Sequence, residues 1–374
     1  MNFWRYIKND YVTASAGLAA DEIIANRAGA GTSQPTLRLY TYKPCALVGR
    51  FQNIENELNL NYCAENKIPV NRRPTGGGAI IMGQEQLGMA LAIPGRSDET
   101  YARVRERMAQ FSKGIISGLS TLGIVVEFRR KNDLEVNGKK IAGLGLHKTA
   151  SNGLLFHASL LVDLDVSYML NVLNTPFEKI SDKEIATVSE RTTTVLRETN
   201  ANLTLDEVRS IILDGYKDAF QIDIKVGDFS ISELEELRQL EKDKYMAPDW
   251  IFQKTNVPDA TGKSVVKTPG GLLDVRIVLA GKMIKAVYIG GDFFTSEHAI
   301  ADLEQSLRWH SIQEKSLMET LTKVYKKWSG DLANLSMDAL LSNIKSAIET
   351  AESIARKESA NPYGCFVTPG GAHA

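Results

Sequence analysis

Lys131-Asn132-Asp133-Leu134-Glu135-Val136-Asn137-Gly138-Lys139-Lys140-Ile141-Ala142-Gly143-Leu144-Gly145 sets Asn137-Gly138 between the strand-like runs Val125–Phe128 and Lys140–Leu144. Asn-Gly tolerates the two positive φ angles of a tight hairpin, so the pair predicts a turn between strands. Leu154–Val162 reads as another strand. Upstream, Leu37, Leu39 and Thr41 alternate with Arg38, Tyr40 and Tyr42, the period of two of a half-buried strand. Ala46–Val48, Ile68–Arg73, Ala79–Met82 and Met89–Ile93 add further extended runs. Ser15 stands where it could cap a helix over Ala16–Asn26. Val104, Met108, Phe111, Ile115 and Leu119 recur as one helical stripe. Hairpins mixed with helices, without regular βαβ alternation, predict an α+β fold: a mixed β-sheet domain flanked by helices.

Charge density rises over Ser230–Lys244 in a polar helix whose charge run is expected to form a solvated face. After it, Leu273–Leu279 and Met283–Ile289 form a hairpin pattern around Ala280-Gly281-Lys282, followed by a helix carrying Ile300, Leu303 and Leu307. These features predict a large domain over 1–240, a smaller α+β C-terminal domain over 241–330, and a helical extension with a flexible tail over 331–374. The extension carries an amphipathic helix with Leu341, Ile344, Ile348, Ala351 and Ala355, and the tail is the Gly/Pro/Ala-rich Asn361–Ala374.

Composition is that of an ordinary globular chain of 374 residues, 43% hydrophobic and 24% charged. With a net charge of −1, no overall field draws it to nucleic acid or to an anionic membrane, and neither is an expected partner. Three scattered cysteines, Cys45, Cys63 and Cys365, make neither a disulfide framework nor a zinc cluster; a reducing, cytoplasmic compartment is expected. The start lacks the apolar core of a secretory signal, and no run approaches 18 apolar residues.

Three segments carry chemistry. In Asn71-Arg72-Arg73-Pro74-Thr75-Gly76-Gly77-Gly78-Ala79-Ile80-Ile81, three glycines between strands let the backbone approach a ligand and present N–H groups to an anion, with an arginine fork beside them. The same glycines also read as a flexible turn beside two surface arginines. Lys139 and Lys140 leave the turn on opposite faces, so one of them points into the sheet interior or a cleft and the other into water. His157 is the one histidine of the apolar run Leu155–Val162, with no Cys or Asp in that run to pair with it. Familiar templates fail: Thr261-Gly262-Lys263-Ser264 follows Val257 where a Walker A glycine belongs, and Gly143-Leu144-Gly145 completes no GxGxxG.

Together and in this order, the segments resemble the lipoate–protein ligase A family of the biotin/lipoate ligase superfamily. The resemblance rests on Gly49-Arg50-Phe51-Gln52-Asn53, Arg73-Pro74-Thr75-Gly76-Gly77-Gly78-Ala79, Asn132-Asp133-Leu134, Lys139-Lys140-Ile141-Ala142-Gly143 and His157-Ala158-Ser159-Leu160-Leu161, with Lys244-Tyr245, Asp249-Trp250 and Gly291-Asp292-Phe293-Phe294 similar to the family's small domain. It implies that lipoate and Mg-ATP form lipoyl-adenylate and pyrophosphate, and that the lipoyl group then passes to a lysine of an apo lipoyl domain of a 2-oxoacid dehydrogenase E2 subunit or of a glycine-cleavage H-type protein. By the same resemblance, Lys140 is the catalytic residue, holding the lipoyl carbonyl oxygen and the α-phosphate. Arg73, Thr75, Gly76, Gly77, Gly78, Ala79, Ile80 and Ile81 hold the nucleotide and acyl group, His157 lines the acyl pocket, and Asp133 is the Mg²⁺ ligand. A C-terminal domain that swings between half-reactions makes 235–250 the expected hinge.

The chain departs from the family pattern in two places. Met82-Gly83 and Gln86 stand where a His-Asp pair and an Asn are usual, and Gly143-Leu144-Gly145 replaces Gly-Ser-Ala. The rival reading is a lipoyl or octanoyl transferase that forms an acyl thioester on a cysteine, but no cysteine lies between Cys63 and Cys365. A transferase that accepts preformed acyl-adenylate, or a non-catalytic protein that binds a lipoyl domain or acyl-adenylate, is also compatible with these residues.

Overall fold

The computed structural model describes residues 3–96, 98–129, 132–174, 189–253 and 262–360; Lys131, Thr261 and the Asn361–Ala374 tail lie outside the described residues. The chain divides into two compact units, Met1–Lys254 and Thr255–Ala374.

In the first unit the strands are β1 (Phe3–Val12), β2 (Thr36–Tyr42), β3 (Cys45–Val48), β4 (Val70–Arg72), β5 (Ile80–Met82), β6 (Gln86–Pro94), β7 (Glu127–Arg129), β8 (Asp133–Val136), β9 (Lys139–Lys148), β10 (Gly153–Leu161) and β11 (Asp223–Val226). Eight of them form a sheet in the order β11-β1-β2-β6-β10-β9-β8-β7, and β4-β3-β5 form a small second sheet. The β11–β1 and β1–β2 pairs are parallel, whereas β2 through β7 pair antiparallel, so the sheet is mixed and the fold is α+β as expected. The hairpin forms at the expected place: Asn137 and Gly138 take φ of 49° and 79° between β8 and β9.

The helix Ala14–Gly29 packs its face of Leu18, Ala19, Ile24 and Ala25 against Tyr40, Tyr42, Ala90, Ala92 and Leu155. Its cap is Thr13, whose hydroxyl accepts from the Ala16 amide, and not Ser15, whose hydroxyl donates to Glu241 at 2.6 Å. The single stripe expected over 104–119 is two helices, Val104–Phe111 and Lys113–Ser120, meeting at the buried Ser112. The charge run after Ser230 is only partly a solvated face, because Glu233 is buried in an ion pair with Arg5 at 2.6 Å and Glu236 pairs with Arg27.

Residues 241–253, expected to open the small domain, pack within the first unit. The helix Ile231–Leu240 runs into one wide turn, Glu241–Tyr245, and then the short helix Pro248–Phe252. Tyr245 is fully buried in the same core cluster as Tyr42, Leu47 and Met82, and its carbonyl accepts from Asn71 Nδ2 at 2.8 Å. The segment expected to be a hinge is therefore fastened near its end, at Tyr245 and Trp250, to the strand before the glycines.

The second unit is an antiparallel sheet of β12 (Gly262–Thr268), β13 (Gly271–Ala280), β14 (Met283–Gly291) and β15 (His310–Ser311). The helix Glu297–Leu307 buries Ala299, Ile300, Leu303 and Leu307, as its spacing predicts. The helix Met337–Ala360 lies so close on β12 that a side chain at Gly262 would run into the Ala347 carbonyl, and Asn343 donates to the Leu273 carbonyl at 2.9 Å. The helical part of the expected extension thus packs into the core of this unit. No helix among the described residues is long and apolar enough to cross a membrane.

Candidate active site

β4 leads into the glycine segment, and the segment is laced to β3 by its own backbone. The Arg73 amide donates to Val48 O at 3.0 Å and the Arg50 amide to Thr75 O at 2.9 Å. Gly77 takes φ of 95°, and its carbonyl lies where a side chain at Gly49 would have to be, so glycines at both positions let the strands close. The Arg73 guanidinium sits inside this loop, donating to Gly76 O (3.0 Å), Gly78 O (2.6 Å) and Thr75 Oγ1 (3.1 Å). It is 8% exposed, and burial, reinforced by the neighbouring Arg72 cation, pushes its pKa down to about 10. Arg73 thus braces the loop and at the same time holds a buried positive charge at the cavity wall, where an anion would relieve it. Neither arginine is the surface residue that the simpler reading of this segment expects: Arg72 is fully buried.

Lys140 enters from β9. Its amide donates to Arg191 O at 2.9 Å and its carbonyl accepts from the Thr193 amide at 2.8 Å, which brings Thr192 into the site from a segment fifty residues downstream. Lys140 Nζ meets Asp133 Oδ1 at 2.7 Å. The stem lies over Gly143, where an added Cβ would come within 3.2 Å of Nζ, and a Cβ at Gly145 would press Thr75 at 3.0 Å. Glycine at these two positions therefore clears room for the lysine and for the loop. Of the two adjacent lysines it is Lys140, not Lys139, that lines the cavity.

His157 has the carboxylate partner that its own strand lacks. Its Nε2 lies 3.0 Å from Asp21 Oδ2, contributed by the helix Ala14–Gly29. The same carboxylate accepts from Tyr40 Oη at 3.1 Å and from Arg38 at 2.6 Å, and Arg38 also donates to Asn9. Arg38 and Asp21 are both fully buried, so β2 is not the half-buried strand its alternation suggests: all seven of its residues are buried. Burial alone would raise the Asp21 carboxyl, but the Arg38 guanidinium and the His157 hydrogen bond outweigh it and hold the carboxyl below the usual range. As an acceptor-only group, the carboxylate requires the proton on Nε2 and so fixes which imidazole nitrogen is free to face the cavity.

The sign of the pH effect follows. A carboxyl depressed in the folded state stabilises the fold above its unfolded value of about 4, and that contribution is lost as pH falls through the folded value. Urea midpoints measured from pH 6 down to pH 2 are expected to fall more steeply below about pH 4 in the native chain than in Asp21→Asn. Equal slopes would remove Asp21 from the acid transition.

These groups enclose one cavity of about 180 Å³. Arg73, Thr75, Gly78, Ala79, Lys140 and Thr192 stand on its polar side, and Leu18, Tyr42, Leu47, Met82, Leu161 and Met169 wall an apolar bore. Ile80, Ile81 and His157 also line it; Gly76, Gly77 and Asp133 do not, although Asp133 pairs with the lining Lys140. Met82, where the family pattern has a polar residue, is buried and accepts from Ser159 Oγ at 3.1 Å, so the departure extends the apolar wall. Leu144 does the same on β9. Sequence reasoning missed Asp21, Arg38, Tyr40 and Thr192; Arg38 on a strand of apolar neighbours was the available signal. Neither described cysteine lines the cavity: Cys45 and Cys63 are buried, and burial pushes the Cys45 thiol upward. No cluster of three or more metal-ligating side chains occurs among the described residues.

A cavity lined by apolar side chains together with the Arg73 and Lys140 cations and a glycine loop has the chemistry to take an acyl chain with an anionic head group. The comparisons give that class a family. The profile of the lipoyl protein ligase A/B catalytic domain matches residues 13–217, and that of the bacterial lipoate protein ligase C-terminus matches 258–342. The chain belongs to the lipoyl protein ligase A/B family. It is 26% identical over 279 residues to the octanoyltransferase LipM of Lysinibacillus sphaericus, covering 68% of this chain and 100% of that one. To the lipoate-protein ligase LplJ of Bacillus subtilis it is 26% identical over 264 residues, covering 70% of this chain and 77% of that one. Among solved structures, the bipartite lipoate protein ligase of Thermoplasma acidophilum, studied with its E2 lipoyl domain, superposes with a TM-score of 0.60 at 26% identity, covering 67% of this chain and 96% of that one.

Proposed function

We propose that the protein activates lipoate with ATP to lipoyl-adenylate and transfers the lipoyl group to a lysine of an acceptor lipoyl domain. The observation that carries this reading is the pairing of an apolar bore with the Lys140 and Arg73 cations at a wall that no described cysteine lines. In the first step a lipoate carboxylate oxygen attacks the α-phosphorus and pyrophosphate leaves. In the second, the acceptor amine attacks the mixed-anhydride carbonyl, AMP leaves, and an amide forms. Neither step needs an enzyme nucleophile, so the protein's part is positioning and charge stabilisation. Lys140 has three donors, enough to keep Asp133 while touching the carbonyl oxygen and α-phosphate. Mg²⁺ takes only one or two carboxylates and completes its shell with phosphate and water, so Asp133 beside Lys140 suits a magnesium carried in on the nucleotide, not one held in a protein cage. There it would neutralise phosphate charge.

The names of the octanoyltransferase relatives favour a second reading, acyl transfer without ATP. Lipoate-dependent exchange of pyrophosphate into ATP, measured without acceptor, separates the two. Exchange is expected. No exchange, with transfer from synthetic lipoyl-adenylate intact, would replace the ligase by a transferase that has lost activation. Transfer from an octanoyl thioester alone would establish the second reading.

A further inference from the structure

The loop that carries Arg73 is held from behind by a segment far outside the matched catalytic region, which ends at residue 217. Trp250 Nε1 donates to the Arg72 carbonyl at 2.9 Å, at the peptide that joins Arg72 to Arg73. Arg72 Nε in turn donates to the carbonyls of Trp250 and Ile251, both at 3.2 Å, and Arg72 reaches forward to the carbonyls of Gly49, Arg50 and Gln52. One residue earlier, Asn71 donates to Tyr245 O at 2.8 Å and accepts from the Arg72 amide at 2.8 Å. Two cations fix the indole: Lys244 Nζ lies 4.2 Å from its centroid and the Arg50 guanidinium 4.8 Å. Lys244 is tied to Glu22 at 2.7 Å, and Tyr245 packs edge-on against Trp250 at 5.8 Å.

From this we infer that the strap Lys244–Ile251 is part of the catalytic machinery, with Trp250 as the positioning residue for the anion-binding loop Arg73–Ala79. Its fixed partners run from the indole to the Arg72 carbonyl, and from there through one peptide bond to the Arg73 guanidinium that laces Gly76 and Gly78. Removing the indole deletes its hydrogen bond to the Arg72 carbonyl and withdraws the ring on which Arg50 and Lys244 rest. Trp250 itself does not line the cavity, although it packs against the core cluster to which Tyr42, Leu47 and Met82 of the bore belong. The functional catalytic unit therefore extends to about residue 252, and because the strap's hydrogen bonds run to the Arg72–Arg73 peptide, it acts more on affinity for the phosphate-bearing ligand than on affinity for the acyl chain.

The test uses the full chain with two variants, Trp250→Ala and Trp250→Phe, the latter keeping the ring face and deleting the N–H donor. Backbone hydrogen exchange in the ligand-free protein is expected to rise at least tenfold over 72–79 in Trp250→Ala and by less in Trp250→Phe, with β9 and β10 unchanged. Unchanged exchange over 72–79 in both variants overturns the inference, whatever the protein's activity. A general rise across β9 and β10 in Trp250→Ala means lost fold, and Trp250→Phe then decides. The second readout rests on the ligase reading: KM for ATP in pyrophosphate exchange should rise at least fivefold while KM for lipoate stays within twofold. Equal rises in both constants overturn the selectivity for the phosphate ligand. If the native chain shows no exchange, the ligase reading fails by itself, and hydrogen exchange still decides the role of the strap.

Discussion

Replacing Lys140 by alanine is expected to lower lipoyl transfer about 10²–10³-fold, the usual cost of removing one preorganised donor from developing charge. The fold should survive, because the side chain is over one-third exposed and its ion pair with Asp133 on β8 is only partly buried. Lys140→Arg is not a conservative rescue: its rigid planar fork would have to fit over Gly143, where the lysine stem already passes at contact distance. The measurement is kcat/KM for transfer from synthetic lipoyl-adenylate, with circular dichroism and thermal midpoint as folding controls. Transfer within threefold of the native chain would remove Lys140 from the mechanism.

Asp21→Ala is expected to have the largest effect on stability. It leaves Arg38 buried with no exposed surface and without its carboxylate, and it strips an acceptor from both His157 and Tyr40. Breaking one side of a buried pair costs about 3–5 kcal/mol, against about 0–1 kcal/mol for surface pairs such as Lys217–Asp214. The paired variant Asp21→Leu/Arg38→Met should recover much of that loss, since an apolar replacement of the whole pair leaves no orphan charge. Urea midpoints of the three proteins (native, Asp21→Ala and the paired variant) would show this; a loss under 1 kcal/mol in Asp21→Ala would mean that water or a rearranged partner satisfies Arg38. Transfer in the paired variant reads the role of His157 separately, because the imidazole there keeps its packing but has no fixed tautomer.

The elements that local chemistry dictates were legible along the chain. Asn137-Gly138 makes the hairpin because few other pairs accept two positive φ angles, and Ile300, Leu303 and Leu307 mark a helix because their spacing has no other use. The candidate site was legible in its motifs: Arg73, Thr75, Gly78, Ala79, Ile80, Ile81, Lys140 and His157 converge on one cavity. The motifs could not distinguish lining from support. Gly76 and Gly77 do not line the cavity: the Gly77 backbone crosses at contact with Gly49, and the Gly76 carbonyl accepts from Arg73. Nor could alternation reveal that Arg38 faces inward, since period two assigns a polar residue to water unless a partner is known, and that partner is Asp21, seventeen residues back on a helix.

What the sequence determined by itself is local: which segments extend, which coil, where the turn falls, and which glycine, lysine and arginine belong to one family pattern. Tertiary structure decided what faces what. It joined His157 to Asp21 across 136 residues, brought Thr192 beside Lys140, and laid Trp250 against the Arg72 peptide from 178 residues downstream. The physical reason is that backbone preference acts within a few residues. A buried charge or an unpaired carbonyl, in contrast, must be answered by whichever group the packing brings within hydrogen-bond reach, and sequence distance carries no information about which group that is.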